Sequence, residues 1–459
     1  MNGKINRLTL RIFKILNLAL IVLPFGICWL GYYASRTWAP FYAKGNYVVI
    51  ALFAVLYLMF AYIYDAYQIS LNRISELIYS QVLAAFIADA IMYVIILLLT
   101  KHLPAIWPLL LMIVVQVGFS ALWSLVAHKW YFKVFPPRKT AVIYDQREGM
   151  DNLLNEYGLN IKFEVVHTNT VDECIGCEMQ DLKGVEAVFL CGIHSHERNI
   201  ILKYCIKHSI TVYVIPRVGD VIMSGAKQMH MLHLPMLKVN CYLPSAEYRY
   251  AKRIFDIVVC GIAMIILSPV FIITAIAIKA TDGGPVFYKQ CRLTQNGRKF
   301  DVLKFRSMRV DAEKDGVARL STGDKDDRIT PVGKIIRKVR IDELPQLINI
   351  LKGDMSIVGP RPERPEIAEQ YEKELPEFGL RLQAKAGLTG YAQVYGKYNT
   401  TPYDKLQMDL MYIAKPSFIE DLKIILATIK ILFVPESTEG IAEGSVTADV
   451  KEGASIKQY

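Results

Sequence analysis

The chain has little from which to build a metal or disulfide scaffold. Its eight cysteines are scattered through 459 residues. Cys174 and Cys177 form a lone CxxC with no second pair, which argues against a zinc site. Cys28 and Cys260 lie inside apolar runs and read as packing residues, so a reduced, cytosol-facing setting fits best. A dinucleotide fingerprint is also missing. The strand-like TAVIYD is followed by Asp145-Gln146-Arg147-Glu148-Gly149 and not by GxGxxG, so no glycines allow a pyrophosphate to approach the backbone. That absence argues against NAD binding. No nucleic-acid motif accompanies the basic residues, which flank apolar segments instead. There are no internal repeats, and no clean small-residue cleavage site follows the first apolar run.

What the chain has in excess is apolar surface and positive charge. It is 53% hydrophobic with a net charge of +10, a mean hydropathy of +0.27 and a pI of about 9.0. In a membrane protein such an excess favours anionic headgroups and anionic substrates. Four long apolar runs occupy 15–34, 47–64, 82–100 and 105–127, each near the ~20 residues that cross a bilayer as a helix. Lys4, Arg7, Arg11 and Lys14 precede the first, which reads as a retained anchor with a cytoplasmic N-terminus. Four crossings return the chain to Lys129, Lys133, Arg138 and Lys139 on the same side. Asp89, inside the third run, is read as a helix-packing residue.

Residues 139–240 change character. TAVIYD, AVFLCG and TVYVIP read as buried strands, KGVEA as a turn and RNIILKYCIKH as a helix. That alternation predicts a degenerate Rossmann-like α/β domain with a structural or regulatory role. A fifth apolar run, 254–279, carries Ser268-Pro269 at its centre, and lysines and arginines flank both ends. Proline interrupts helix hydrogen bonding, and neither flank prefers the exterior. A helix–break–helix that enters and leaves on the cytoplasmic face satisfies both facts; an ordinary kinked crossing is the alternative. Beyond it, 280–436 reads as a compact α/β domain at a membrane surface. In its last helix Phe418, Leu422, Ile425, Ile429 and Leu432 form a stripe that suits either the interface plane or the domain core. The tail from 437 is polar and is expected to be disordered.

The chemistry concentrates in RIDELPQLINILKGDMSIVGPRP, residues 340–362. Thr330-Pro331 is expected to cap and open one short helix, and Asp342 to cap a second that tolerates Pro345 and ends at Gly353. Leu344, Leu347, Ile348 and Leu351 would form its buried face. Local physics leaves two readings of Asp342. It is a helix cap worth ~1 kcal/mol, or it shares phosphate chemistry with Glu343, one carboxylate attacking phosphorus and the other holding Mg²⁺. Phosphoryl transfer needs positioning and charge neutralisation. Lys304 and Arg306 in KFRSM, Arg337, and Arg361 in GPRP offer cations for it, although each taken singly also suits a solvated surface.

GGPVFYKQCR, KFRSM, DRITPVGKIIRK, DELPQLINILKGDMSIVGPRP and AGLTGYAQVYGK occur in that order. Together, over 248–435, they resemble the bacterial sugar transferase family, the monotopic polyprenyl-phosphate sugar-1-phosphate transferases. The four crossings and the Rossmann-like domain resemble the large subtype by layout. The resemblance implies four transmembrane helices over 1–130, a cytosolic domain over 139–240 and a catalytic domain over 248–436 with a re-entrant helix at 254–279. It implies that Asp342 attacks the β-phosphate of a UDP-sugar and expels UMP, and that undecaprenyl phosphate then accepts the phospho-sugar. Glu343 would hold Mg²⁺; Lys304, Arg306, Arg337 and Arg361 would lie near phosphates and nucleotide; Ser268 and Pro269 would mark the membrane helix break. The implied setting is the bacterial inner membrane with catalysis facing the cytoplasm, membrane lipid as a partner and no nucleic acid. A homo-oligomer is compatible with the sequence. Thr294, Ala386 and Tyr391 depart from the family's usual glycine, proline and tryptophan, which weakens inference about the sugar. A many-pass transferase is disfavoured because the acidic pair follows the last apolar run. A membrane scaffold with a dead domain is disfavoured by the intact pair.

Overall fold

The computed structural model describes residues 2–432 apart from 146, 148, 157, 240–243, 310–327 and 397–399. The tail from 437 therefore lies outside the described residues. The chain divides into two compact units, Met1–Ile215 and Pro216–Tyr459. Among the described residues, five helices are long and apolar enough to cross a membrane.

The first unit opens with α1 (Asn2–Cys28), α2 (Ala43–Ile63), α3 (Ile74–Leu99) and α4 (Trp107–Val134). Helices α1 and α3 each pack on both α2 and α4, which closes a four-helix bundle. Its interior holds stacked Phe25 and Phe53, with ring centroids 4.2 Å apart. A polar thread also runs through it: Tyr57 donates to Asn17 Oδ1 (2.7 Å) and Asn17 donates to Gln81 Oε1 (3.0 Å). Asp89 faces the interior and is fully buried. With no water in a bilayer core, polar side chains gain by pairing across helices, as Asn17, Tyr57 and Gln81 do.

The α/β part of this unit contains β1 (Arg138–Tyr144), α5 (Met150–Glu156), β2 (Phe163–Thr170), α6 (Val171–Gly176), β3 (Ala187–Cys191), α7 (Ser195–Lys207) and β4 (Thr211–Ile215). The strands form one parallel sheet in the order β2-β1-β3-β4. Side chains alternate across it. Ala141, Ile143, Val188 and Leu190 pack on one face with Cys174, Ile201 and Cys205, while Val142, Ala187 and Phe189 pack on the other with Leu154 and Phe163. The parallel sheet, covered on both faces, makes this region α/β. Its strand β2 escapes a sequence reading because FEVVHTNT alternates weakly. The sheet ends at Ile215, and the residues that follow pack with the second unit.

In the second unit, α8 (Val218–Ser224) buries Val218 and Val221 in the core, and Gln407 donates to Pro216 O. The hairpin β5 (Lys227–Met231) and β6 (Leu234–Lys238) precedes α9 (Ala246–Asp282). Ser245 caps α9, and Gly283, with φ at +69°, ends it. The expected break at Ser268-Pro269 does not end the helix: α-helical backbone runs through both residues. Proline leaves the carbonyl of Ile265 without its helical donor, and Ser268 Oγ donates to that same carbonyl at 2.8 Å.

Both ends of α9 pack on the same unit. Near its start, Arg253 donates to the carbonyls of Ile350 (2.6 Å) and Leu351 (2.8 Å), and Asp256 accepts from Ser356 Oγ (2.8 Å) and Ile357 N (3.2 Å). Near its end, Ile278 packs with Phe305 and Ile336. Between them Ile262, Ile265, Ile266, Ile272 and Ile273 stay exposed.

The remaining elements are β7 (Phe287–Leu293), β8 (Lys299–Phe305), α10 (Pro331–Lys338), α11 (Gln346–Lys352), β9 (Ser356–Val358), α12 (Pro365–Glu374), β10 (Gly387–Thr389), α13 (Tyr391–Tyr395), α14 (Pro402–Ala414) and α15 (Phe418–Leu432). Strands β7 and β8 form an antiparallel hairpin, and β9 pairs in parallel with β10. Helix α15 packs on β9 and β10. Its buried residues are Asp421, Ile424 and Leu426, and Thr428 bonds Thr389 of β10, so the anticipated stripe is not its chief inward face. Asp421 is buried because Lys252 (2.7 Å), Tyr248 (2.8 Å) and Tyr412 (2.8 Å) all donate to it.

Candidate active site

Thr330 caps α10 by accepting from Gly333 N at 2.9 Å, and Gly353, at φ +93°, ends α11, as the sequence suggests. Between the two helices the expectation fails. Arg340 takes a left-handed conformation at φ +55°, Ile341–Glu343 form a 3₁₀ turn, and α11 begins only after Pro345. Asp342 therefore does not cap α11. The chain reverses through Arg340, so both carboxylates stand on a tight turn that packs against β8 and α10.

The buried face of α11 also differs from the apolar set anticipated for it. Gln346, Leu347, Asn349 and Ile350 are its buried residues. Asn349 is inward because its side chain replaces a strand: it accepts from Leu303 N (2.9 Å) and donates to Asp301 O (2.8 Å). This clamp fixes α11 against β8. The even positions of β8 share one face. Phe300 and Val302 enter the core there, and Lys304 follows them toward the carboxylates.

Lys304 Nζ donates to Glu343 Oε1 at 3.0 Å, and Arg361 Nη2 reaches the same oxygen at 3.4 Å. Burial alone would raise the Glu343 pKa, but Lys304 and Arg361 outweigh it and hold this carboxyl well below the usual range. Asp342 moves the other way. Burial raises it and Glu343 adds to the rise, while Lys304 and Arg337 oppose it. Neighbouring carboxyls of divided character suit divided roles. Arg337 Nη1 is buried without a hydrogen-bond partner among the described residues.

A cleft beside the pair is lined by Arg292, Val302, Lys304, Glu343, Gln346 and Arg361, among others. Of the residues anticipated from sequence, Lys304, Glu343 and Arg361 line it. Asp342 and Arg337 do not line it, and charge links the two. Arg306 is buried just past the end of β8 and does not line it. Ser268 and Pro269 lie mid-way along α9 and do not line it either.

Further residues support the site, and two of them, Arg381 and Asp409, carried no sequence signal. Arg381 donates through Nε (2.9 Å) to Asp409 Oδ2 and through Nη2 (2.8 Å) to the carbonyl of Arg361. Both members of this ion pair are buried. Arg292 donates to the next carbonyl, that of Pro362, at 2.9 Å. The backbone that carries Arg361 is thus held from two sides. Gly359, Gly387 and Gly390 let β9 and β10 approach so closely that a Cβ at Gly387 would lie 2.1 Å from Gly359 N. Thr294, one of the departures from the family pattern, is buried; it donates to Asp354 O (3.0 Å) and accepts from Ala386 N (3.2 Å). Its hydroxyl ties that turn to the segment preceding β10.

Among the described residues no group of three or more His, Cys, Asp or Glu could cage a metal. A single ionised carboxylate beside a cation-lined cleft fits Mg²⁺ only together with ligand oxygens and water, since that ion prefers one or two carboxylates with phosphate oxygens and water.

The cleft sets an acidic turn among cations on an α/β domain. The family model described as "Bacterial sugar transferase" matches residues 247–435. A UDP-glucose:undecaprenyl-phosphate glucose-1-phosphate transferase of Caulobacter vibrioides is 38% identical over 200 residues, covering 42% of this chain and 74% of the relative. The chain belongs to the bacterial sugar transferase family. A UDP-N-acetylgalactosamine-undecaprenyl-phosphate N-acetylgalactosaminephosphotransferase of Aeromonas hydrophila is 38% identical over 232 residues, 50% of this chain and 54% of the relative. A UDP-glucose:undecaprenyl-phosphate glucose-1-phosphate transferase of Escherichia coli strain K12 is 38% identical over 212 residues, 45% and 44% of the two chains. The chain thus spans about half the length of the latter two.

Proposed function

We propose that this protein transfers a sugar-1-phosphate from a UDP-sugar to undecaprenyl phosphate and so begins a lipid-linked glycan, such as a capsule or exopolysaccharide unit. The observation that carries the reading is the Asp342-Glu343 turn with Lys304 and Arg361 on Glu343. An Asp342 carboxylate oxygen bonds to the β-phosphorus of the UDP-sugar. The bond from that phosphorus to the bridging oxygen breaks, and UMP leaves with the electron pair. An oxygen of undecaprenyl phosphate then attacks the same phosphorus, and the acyl-phosphate bond breaks to restore the Asp342 carboxylate. Lys304, Arg337 and Arg361 neutralise phosphate charge, and Arg381 and Arg292 keep the Arg361 backbone in register. Glu343 would hold Mg²⁺, which supplies further charge neutralisation at the phosphates when bound.

The setting follows from α9. Both its ends pack on one compact unit while its middle exposes a run of isoleucines. A helix that crossed a bilayer would carry its two ends to opposite sides of a hydrocarbon layer ~30 Å thick. Re-entry from the cytoplasmic face of the inner membrane therefore fits best, with the active site at headgroup depth. The test is Mg²⁺-dependent UMP release by the purified protein with undecaprenyl phosphate and a panel of UDP-sugars. Release with one sugar supports the reading and identifies the donor. No release with any of them, from folded protein in suitable lipid, refutes it.

A further inference from the structure

The reaction as described leaves one buried amide in the cleft unused. Gln346, the first residue of α11, is 5% exposed and lines the cleft with Glu343, Lys304 and Arg361. Other buried polar side chains nearby are satisfied within the fold: Asn349 by β8, Ser356 by Asp256, Arg381 by Asp409, and Thr294 by Asp354 O. The Gln346 side chain makes no hydrogen bond among the described residues. Its amide is not sealed in the core but opens on the cleft, where a ligand can reach it.

The surroundings identify the ligand group. Gln346 follows Glu343 by three residues, which brings both side chains to one side of the chain. Arg292 also lines the cleft, but it spends donors on Gln290 Oε1 and Pro362 O. Lys304 and Arg361 are thus the cations turned to Glu343. A diphosphate presents more acceptor oxygens than those two serve. A neutral donor adds a hydrogen bond there without repelling either cation. We propose that Gln346 binds the donor substrate, its Nε2–H donating to a non-bridging phosphoryl oxygen of the UDP-sugar diphosphate. This rests on the reaction proposed above.

The experiment measures UMP release at varied concentrations of the UDP-sugar that wild-type protein uses, and separately of undecaprenyl phosphate. Variants Gln346→Ala and Gln346→Glu are compared, with the melting temperature of each. A lost hydrogen bond to a charged group lowers kcat/KM for the UDP-sugar about 10- to 100-fold in Gln346→Ala. The KM for undecaprenyl phosphate and the melting temperature should not move. Gln346→Glu, nearly isosteric, should lose more because its carboxylate repels the diphosphate. Values within about twofold of wild type in both variants would overturn the assignment. So would equal loss toward both substrates with a lowered melting temperature. If Gln346→Ala does not fold, Gln346→Glu decides alone, and wild-type kinetics in it overturn the assignment. Wild-type protein that releases no UMP refutes the reaction itself, which separates the two failures.

Discussion

Replacing Lys304 with methionine removes the ammonium 3.0 Å from Glu343 Oε1 while keeping most of the packing stem. The lysine and glutamate side chains are only 23% and 19% exposed, so solvent screens the pair weakly. Arg361 remains at 3.4 Å but is 45% exposed and compensates in part. Losing one hydrogen bond to a partly buried charge costs about 1.5–3 kcal/mol. For a domain of this size that lowers the melting temperature by roughly 3–12 °C. The pH dependence identifies the cause. The Glu343 pKa lies below its unfolded value, so its stabilisation is fully present above the ordinary glutamate value of about 4.3 and is lost as pH falls toward the depressed pKa. The gap between wild type and Lys304→Met should therefore be widest near neutrality and shrink below ~pH 4. Thermal unfolding followed by intrinsic fluorescence in detergent, across that range, measures it. A gap that does not change with pH, or none at all, would refute the electrostatic account of the pair.

Gly387→Ala should destabilise the domain by about 3 kcal/mol, because the new Cβ meets backbone at Gly359 N (2.1 Å) and Gly359 O (2.5 Å); the melting temperature reads this directly. Asp409→Asn should cost about 3 kcal/mol by weakening the partner of buried Arg381, and should reduce turnover because Arg381 also holds the Arg361 carbonyl. Comparing its loss of kcat with that of Arg361→Ala checks the link, and an Asp409→Asn protein that is less stable but fully active would break it.

How much was legible depended on whether the signal was local. Thr330-Pro331 and Gly353 announce helix ends through their own conformational limits, and the helices begin and end where those residues stand. The ordered motifs pointed to the acidic pair, to Lys304 and to Arg361. Asp342 was misplaced as a cap because a capping rule assumes that the helix starts at the first capping residue. Here Arg340 turns left-handed and a 3₁₀ turn intervenes, which no local preference for arginine predicts. Asn349, Asp256 and Asp421 look like faults in apolar faces. Each is buried because a partner distant in sequence completes it, and single-sequence periodicity cannot see such a partner. The Arg381–Asp409 pair is the extreme case, with no motif around either residue and every contact tertiary.

The proposed nucleophile is Asp342. Its raised pKa, set by burial and by Glu343, adds that activity should fall on the acid side above the ordinary aspartate value of about 3.9. The most direct measurement is the intact mass of the purified protein incubated with its UDP-sugar and Mg²⁺ but without undecaprenyl phosphate, beside Asp342→Asn. A mass gain equal to one phospho-sugar, mapped to the peptide that contains Asp342 and absent from a folded Asp342→Asn protein, is the predicted result. The same adduct or wild-type turnover in Asp342→Asn would contradict it.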